Sequence, residues 1–372
     1  SGKSSSQRAD GTGWVFDPDP LTSAGADYGG EYADNGDADA PALTEQLFTV
    51  TLRDISQGTD GLYRLEGPYV LVDGTSNGYV PPAESSPDAF TYTRSNDAFE
   101  AVMAYYHVDK SQRYLQTLDV GFPIKDVPVR VNPHGRTDDE SNYSSSENLI
   151  RLGTGAIDDA EDADVIWHEY AHALLFDTAP DVPLGDTEGG AFHEGWSDYW
   201  TASYSRYLSE EDAQIPPYDW RRLFNWDGNN GCWIGRTLDH PGHYPDQLYY
   251  QTEGCVGDKY QEGLLWATTL MEIYPQVGRE VLDRLSLASH AYLGTPFTFT
   301  DAAEALIQAD FDLYGGAHSS ILVYHLGERG YVDSGSYGPA VSHEPLPATE
   351  QTSGTVRIEV LSLIHISEPT RL

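Results

Sequence analysis

The chain has 372 residues, of which 59 are acidic and 21 are basic, and its formal net charge is −38. This charge argues against nucleic acid and anionic membrane surfaces as partners, because both bind basic protein surfaces. No stretch of about 18 apolar residues is present, so the sequence predicts no membrane span. The length is typical of two domains or of one two-lobed domain. The acidity runs along the whole chain. It fits either the solvated surface of an exported protein or adaptation to high salt, which screens self-repulsion.

The first part of the chain is predicted to be rich in strands. Residues 1–45 are rich in Gly, Asp, Ser and Ala and are expected to form extended, loop-like chain. Apolar and polar residues alternate at 47–55 and again at 62–72, which predicts two strands that pair with each other. A helix is expected at 96–118, where apolar side chains recur at helical spacing after a possible N-cap residue. Shorter strands are predicted at 127–131 and 149–152.

The centre of the chain contains the sequence His-Glu-Tyr-Ala-His at residues 168–172. On an α-helix, residues four apart lie on one face, so His168 and His172 can direct both imidazoles at one ion. Glu169 then flanks the ion without binding it. The acidic run at 158–164 favours a helix N-terminus just before this motif.

A second block, His193 to Asp198, is predicted to lie on a helix at 189–208. Glu194 and Asp198 share one face of that helix. A catalytic zinc ion takes three protein ligands and keeps the fourth position for water, and two His and one Glu make such a set. Zinc lowers the pKa of the bound water toward about 7, after which Glu169 can take its proton. Asp198 is in a position to orient a ligand imidazole.

These two blocks resemble the gluzincin metallopeptidases, the thermolysin and fungalysin group, and the run at 158–172 is most similar to bacterial fungalysin-like secreted peptidases. The resemblance covers about residues 90–335. It implies zinc bound by His168, His172 and Glu194, with Glu169 as the base and Asp198 holding His168. It also implies an α+β, two-lobed thermolysin-like fold, in which a β-rich N-terminal lobe carries the zinc helix at the cleft floor beside a mainly helical C-terminal lobe.

The resemblance also suggests an organisation for the whole chain. We expect a β-rich N-terminal region at 1–95, an N-lobe with the zinc helix at 96–187, a helical C-lobe at 188–335 and a linker at 336–360 to a truncated domain. Residues 361–372 look like translated sequencing-adapter read-through and are excluded from fold arguments. The family carries a secretion signal and a propeptide, so we expect an extracellular protein whose N-terminal propeptide is missing from this fragment.

Three further features concern the substrate, calcium and the cysteines. In thermolysin-like enzymes an edge strand, matched here to 149–152, holds the substrate backbone, and an Asn near its start contacts the peptide. Asn142 matches that position, although an ordinary Asn in a polar turn explains it equally well. Asp181, Asp186 and Glu188 could bind calcium or be solvated surface residues. The two cysteines, at positions 232 and 255, form either a disulfide or two separate thiols.

The chain departs from the family pattern at two places. His193 replaces the Asn that usually precedes the ligand Glu, and it either reaches the site or faces away. The second catalytic histidine, which stabilises the oxyanion in relatives, has no counterpart in residues 257–267. Either one of Tyr260, Lys259, His240 and His243 replaces it, or the alignment of this stretch to the family is shifted.

Four helices are predicted after this point, at 260–274, 277–292, 301–310 and 319–326, with Thr300 or Asp301 capping the third and Gly327 ending the last.

The sequence supports two functions. The first is a secreted zinc endopeptidase that hydrolyses peptide bonds of a protein or peptide substrate, using a zinc-bound water activated by Glu169. The second is a zinc-containing module that binds peptides or surface partners without cutting them, which the missing histidine favours. A catalytic base such as Glu169 has no duty in a purely structural zinc site, and this favours the peptidase.

Overall fold

The computed structural model describes residues 7–74, 78–125, 127–185, 187–231, 234–246 and 258–337. Within these ranges the strands are β1 (Gln7–Val15), β2 (Phe48–Gln57), β3 (Tyr63–Arg64), β4 (Val70–Val72), β5 (Ala83–Glu84), β6 (Val129–Asn132), β7 (Asn142–Ser144), β8 (Leu149–Arg151), β9 (Arg222–Leu223) and β10 (Arg236–Thr237). The helices are α1 (Pro20–Ala24), α2 (Pro41–Thr44), α3 (Ala98–Thr117), α4 (Ala163–Thr178), α5 (Glu188–Glu210), α6 (Asp258–Val277), α7 (Arg279–Ser289), α8 (Phe299–Tyr314) and α9 (Ser319–Glu328). The predicted α+β class is confirmed, with most strands in the first half and most long helices in the second. None of these helices is both long and apolar enough to cross a membrane.

A mixed sheet with the order β4-β6-β8-β7 forms one side of the site described below. β4 and β6, and β6 and β8, pair in parallel, whereas β7 runs antiparallel to β8. Parallel neighbours need a crossover, and α3 provides it between β4 and β6. Helices α3 and α4 both pack against this sheet. β7 is therefore an edge strand with one side unpaired by the sheet.

The second sheet has the order β1-β2-β3-β5 and corrects two predictions. The predicted strand at 62–72 is divided, because β3 pairs with β2 while β4 joins the mixed sheet. The chain turns between them at Gly67 and Pro68, where the Gly67 amide donates to Val70 at 2.7 Å. Gly67 also packs on the Tyr105 hydroxyl, where a side chain has no room.

The prediction that residues 1–45 are loop-like is wrong, because β1 pairs with β2 along nearly its whole length. The inward positions of β1 include Gly11 and Gly13, which give no hydrophobic alternation. A Cβ at Gly13 would lie 2.7 Å from Val102, so close packing against α3 accounts for the glycine. α1 follows, capped by the Asp19 carboxylate, which accepts from two amides of its first turn.

The helical half confirms the four predicted C-terminal helices, with changes at their ends. Helix α8 is capped by Thr298 in a capping box with Asp301, and neither Thr300 nor Asp301 is the N-cap as predicted. Gly327 lies inside α9, and the left-handed residue that follows the helix is Gly330, with φ +82°. At the crossing of α5 and α6, Gly195 and Gly263 bring the two backbones into contact, since a Cβ on Gly263 would lie 2.6 Å from the Ala191 carbonyl oxygen.

Candidate metal centre

Helix α4 carries the His-Glu-x-x-His motif and has a firmly fixed N-terminus. Its N-cap residue, Asp162, accepts from the Asp164 amide at 2.9 Å. The same carboxylate accepts from the amides of Trp226 and Asp227, each at 3.1 Å. The acidic run therefore caps the helix as predicted, and it also ties the helix to the segment that follows β9.

The three residues predicted to bind the metal lie together. The imidazole rings of His168 and His172 are 4.8 Å apart between centroids. Oε2 of Glu194, on α5, lies 3.3 Å from Nε2 of His168 and 3.7 Å from Nε2 of His172. One donor atom from each of the three lies within 4.8 Å of the others. Two imidazole nitrogens and a carboxylate oxygen at these separations fit a zinc ion with one position left open.

The other ring nitrogen of each histidine is already engaged, which leaves Nε2 facing the shared centre. Nδ1 of His168 lies 2.9 Å from Oδ1 of Asp198, and Nδ1 of His172 lies 3.3 Å from the Ser197 hydroxyl. An imidazole that donates Nδ1–H to a carboxylate presents the Nε2 lone pair to a metal. Asp198 thus has the position expected of a residue that orients a ligand.

The electrostatics of the centre favour a positive charge at its middle. Burial opposes a charged imidazole, but hydrogen bonds to Asp198 and Glu194 outweigh it and raise the pKa of His168 to about 9. Burial also opposes the charged carboxylate of Glu194, yet hydrogen bonds from both histidines hold its pKa well below the usual range. The proton on the His168 imidazole supplies this positive charge when no metal is bound, and a metal cation can take its place.

Glu169 lies beside this centre with one oxygen available. Its side chain is buried, and its Oε2 atom accepts no hydrogen bond from the parts of the chain that the structure describes. Burial raises the pKa of this carboxyl, which brings it toward the range useful for a general base near neutral pH.

The centre opens into a cleft of about 730 Å³. The lining residues come from the mixed sheet, α4, the start of α5 and the segments around β9, β10 and α6. Asn142 lines the cleft at the start of β7. The edge strand is therefore β7. The prediction that residues 149–152 form the edge strand is wrong, because the strand there, β8, lies inside the sheet between β6 and β7.

Arg236 is a cleft residue that sequence reasoning missed. Its guanidinium Nη2 lies 2.8 Å from Oδ1 of Asp198 and 3.4 Å from Nδ1 of His168. The group also stacks over the rings of Phe224 and Tyr260, at 4.4 and 5.3 Å from their centroids. No motif marks this arginine, and the only signal was the rarity of basic residues in so acidic a chain.

The four candidates to replace the missing histidine have different positions. Tyr260 lines the cleft, next to Arg236. Neither His240 nor His243 is among the lining residues, and His240 instead packs near Thr268 and Arg329. The side chain of Lys259 lies outside the described part of the chain.

His193 reaches the cleft, where its ring stacks 6.0 Å from that of His172.

The remaining predictions concern calcium and the two cysteines. Glu188 uses Oε2 to accept from the Phe299 amide at 2.8 Å and from the Tyr244 hydroxyl at 3.1 Å. Asp181 is exposed, and Asp186 lies outside the described residues. A calcium site at these three residues therefore stays a prediction. Both cysteines, and everything after residue 337, also lie outside the described ranges.

Comparison with known proteins gives distant relatives. No family model matches the chain. It is 24% identical over 194 residues to extracellular metalloproteinase 3 of Arthroderma gypseum, covering 45% of this chain and 30% of that protein. The identity is 23% over 203 residues to extracellular metalloproteinase 3 of Arthroderma otae, covering 48% of this chain and 31% of the relative. Extracellular metalloproteinase 1 of A. gypseum is 24% identical over 216 residues, with coverage of 50% and 32%. The chain thus spans about a third of the length of these relatives, and the similarity supports a metallopeptidase family.

Proposed function

We propose that this protein is a secreted, zinc-dependent endopeptidase that hydrolyses peptide bonds with a water activated by Glu169. The observation that carries the proposal is the convergence of His168, His172 and Glu194 on one point, beside a buried carboxylate and at the floor of an open cleft. The relatives named extracellular metalloproteinases support both the peptidase activity and the extracellular location.

In this proposal Nε2 of His168, Nε2 of His172 and the Glu194 carboxylate hold the zinc ion. When bound, zinc lowers the pKa of water and polarises the scissile carbonyl. Glu169 accepts the proton of the attacking water through its available oxygen and passes it to the leaving amine. Asp198 keeps His168 in the tautomer that presents Nε2 to the metal.

The substrate peptide is proposed to lie extended along β7. An edge strand has backbone groups free to pair with an added strand, and Asn142 stands at its start with its side chain at the cleft. The lining residues of the cleft include β7 and α4 from the first half of the chain, and α5, α6 and the segment that carries Arg236 from the second half. We propose that these two halves correspond to the two lobes of a thermolysin-like arrangement.

The developing oxyanion needs a donor, and Tyr260 is proposed to supply it. The Tyr260 side chain lines the cleft beside the Arg236 guanidinium, whereas His240 and His243 do not line it. The phenol hydroxyl is a hydrogen-bond donor, and the Arg236 guanidinium places positive charge 5.3 Å from the centroid of its ring. Removing one such donor typically lowers turnover about 100- to 1,000-fold.

The second candidate function is a zinc-containing module that binds peptides without cutting them. It is favoured by the lack of a histidine donor at the position where relatives carry one, within residues 257–267. Cleavage of a quenched-fluorescence peptide, followed with and without 1,10-phenanthroline and after re-addition of zinc, separates the two functions. Chelator-sensitive cleavage that zinc restores supports the endopeptidase. A folded protein that holds one zinc and binds the peptide without cleaving it supports the binding module.

A further inference from the structure

A second group of carboxylates converges on one point in the wall of the same cleft. It consists of Asp139, Asp159 and Asp227, and one oxygen of each lies within 4.8 Å of the others. The three residues come from separate segments. Asp139 precedes β7, Asp159 begins the short 3-10 turn before α4, and Asp227 follows β9. None of them belongs to the His168, His172 and Glu194 set.

One oxygen of each of these carboxylates has no hydrogen-bond donor. Oδ1 of Asp139, Asp159 and Asp227 is buried and accepts no hydrogen bond from any part of the chain that the structure describes. Asp159 and Asp227 are only 3% and 4% exposed, respectively. Buried polar atoms are nearly always paired, so an unpaired buried oxygen on each of three converging carboxylates points to a missing partner.

No positive side chain in the described ranges forms an ion pair with this cluster. Arg136, in the same loop as Asp139, pairs instead with Asp138 and Glu140, at 2.7 and 2.8 Å. A comparable cluster nearby shows the contrast, because its members, Asp34, Asp37 and Glu161, converge on the guanidinium of Arg94 at 2.5, 3.5 and 2.7 Å. Within the described ranges, therefore, one acidic cluster has a guanidinium at its centre and the other has no cation paired with it.

The protonation equilibria of the cluster reflect this missing charge. Burial, with smaller effects from neighbouring carboxylates, raises the pKa of Asp159 to about 7 and that of Asp139 to about 6. Burial and the adjacent charges of Asp159 and Asp162 raise the pKa of Asp227 well above its usual value. Three carboxyl groups at this separation cannot all be ionised unless a cation is bound between them; without a cation, some of them hold a proton.

The surrounding backbone holds the three segments in close contact. Oδ2 of Asp159 accepts from the Ser141 hydroxyl and from the Gly153 amide, whereas its Oδ1 accepts from no described part of the chain. Gly155 lets the irregular segment that follows β8 touch the loop that carries Asp139, since a Cβ there would lie 2.6 Å from the Asp139 amide nitrogen. The arrangement is thus fixed by backbone packing and does not depend on flexible surface side chains.

We propose that Asp139, Asp159 and Asp227 bind a calcium ion. Hard divalent cations take carboxylate oxygens, and an all-oxygen set favours calcium over zinc. The ion would join the loop at residues 136–141, which leads directly into the edge strand β7, to the turn before the zinc-motif helix. Its role is to fix the strand along which a peptide is proposed to bind. The site itself stands independently of the proposed peptidase activity.

The test uses terbium as a luminescent probe for calcium, with Trp226, the neighbour of Asp227, as the nearby absorber. The zinc-loaded 372-residue chain is titrated with Tb³⁺ in molar NaCl, which screens nonspecific attraction to a chain of charge −38. We expect saturable emission that calcium displaces with a Kd on the order of 0.1–1 mM, typical of extracellular calcium sites. Asp139→Asn and Asp227→Asn should each weaken calcium binding at least about tenfold. The control is Asp37→Asn, in the arginine-filled cluster, and it should bind calcium like the wild type.

Thermal unfolding supplies a second readout that needs no catalysis. Calcium at 10 mM should raise the Tm of the wild type and of Asp37→Asn by about 2–5 °C and leave that of Asp139→Asn unchanged. Asp139→Asn is the decisive variant if Asp227→Asn fails to fold, because Asp139 is only partly buried whereas Asp227 is 4% exposed. The absence of saturable binding, or equal binding by wild type and Asp139→Asn, overturns the calcium site and indicates a proton shared among the carboxyls. A protein that binds calcium but cleaves no peptide overturns only the proposed function.

Discussion

Nδ1 of His168 lies 2.9 Å from Oδ1 of Asp198, and the same oxygen lies 2.8 Å from the guanidinium of Arg236. Asp198 is therefore shared between a predicted metal ligand and a cation in the cleft wall. Its side chain is fully buried, so both contacts take place away from solvent. This arrangement sets the direction in which the imidazole of His168 points.

Asp198→Asn is predicted to weaken zinc binding by about 10- to 100-fold, because the neutral amide is a weaker hydrogen-bond acceptor for Nδ1–H of His168 than the charged carboxylate. Competition with a chromophoric chelator measures the effect. Asp310→Asn is a matched control. Asp310 lies on helix α8, and its Oδ1 is 2.7 Å from Nδ1 of His318, which is a similar contact. The control should lose stability but keep zinc affinity. Equal zinc affinity in Asp198→Asn and wild type contradicts the positioning role.

Tyr260→Phe is predicted to lower kcat by about 100- to 1,000-fold with little change in KM, because the hydroxyl is proposed to act on the oxyanion and not on the ground state. Steady-state peptide cleavage gives both constants. Tyr324→Phe, at an exposed position on α9, serves as the control and should behave as wild type. A Tyr260→Phe enzyme with wild-type kcat removes this residue from the mechanism and leaves Arg236 and His193 among the other donors that line the cleft.

Gly195→Ala is predicted to destabilise the protein by about 1–3 kcal/mol and to reduce zinc affinity. A Cβ at this position would overlap the carbonyl oxygen of Gly263 on α6. Because that oxygen belongs to the backbone of α6, it cannot move aside as a flexible side chain can. The resulting shift of α5 acts on the neighbouring residue, Glu194. Chemical denaturation and chelator competition measure the two effects.

The control for this substitution is Gly294→Ala, where an added Cβ meets nothing within 4 Å. It should leave both stability and zinc affinity within error of wild type. Unchanged stability in Gly195→Ala would show that the two helices are not held in backbone contact.

Asp158→Asn is predicted to raise Tm at pH 8 and to have a smaller effect at pH 5. Burial, together with the nearby charges of Asp37 and Glu100, raises the pKa of Asp158 to about 7 in the folded protein, above the value of 3.8 expected when unfolded. A carboxyl with a raised pKa favours the folded state while protonated, and this contribution is lost as the pH rises from about 4 through 7. The neutral amide avoids that loss. Melting curves across this range test it.

Asp60→Asn is the control, because the pKa of Asp60 is shifted in the opposite direction from that of Asp158. A hydrogen bond from Arg64 lowers the pKa of the exposed Asp60 carboxyl to about 2, so its substitution brings no gain at pH 8. A Tm of Asp158→Asn that follows the wild type at every pH would contradict the raised pKa.

The sequence was most informative where chemistry depends on residues close together in the chain. The spacing of His168, Glu169 and His172 on one helix, and of Glu194 and Asp198 on the next, predicted residues that the structure brings together. Helices with apolar periodicity, such as α3, were also predicted nearly to their observed ends.

Features that depend on distant residues were not predicted. β1 was missed because glycines occupy its inward positions, where hydrophobic residues would have given an alternating pattern. Arg236 lies in the two-residue strand β10 and Asp227 follows the equally short β9, so neither has a periodic pattern around it, and only the tertiary fold brings them to the cleft. The edge strand was assigned to 149–152 because its apolar residues gave the stronger signal, whereas the short polar β7 lies at the edge.

The central claim is that Glu169 is the base of a zinc-dependent hydrolysis, and single-turnover cleavage by Glu169→Gln tests it most directly. The variant, the wild type and the control Glu304→Gln, at an exposed position on α8, are loaded with zinc and their metal content is measured on the same samples. We predict one zinc per chain in all three, wild-type cleavage by the control, and a loss of about 100- to 10,000-fold in Glu169→Gln. Cleavage by zinc-loaded Glu169→Gln at the wild-type rate would contradict the claim.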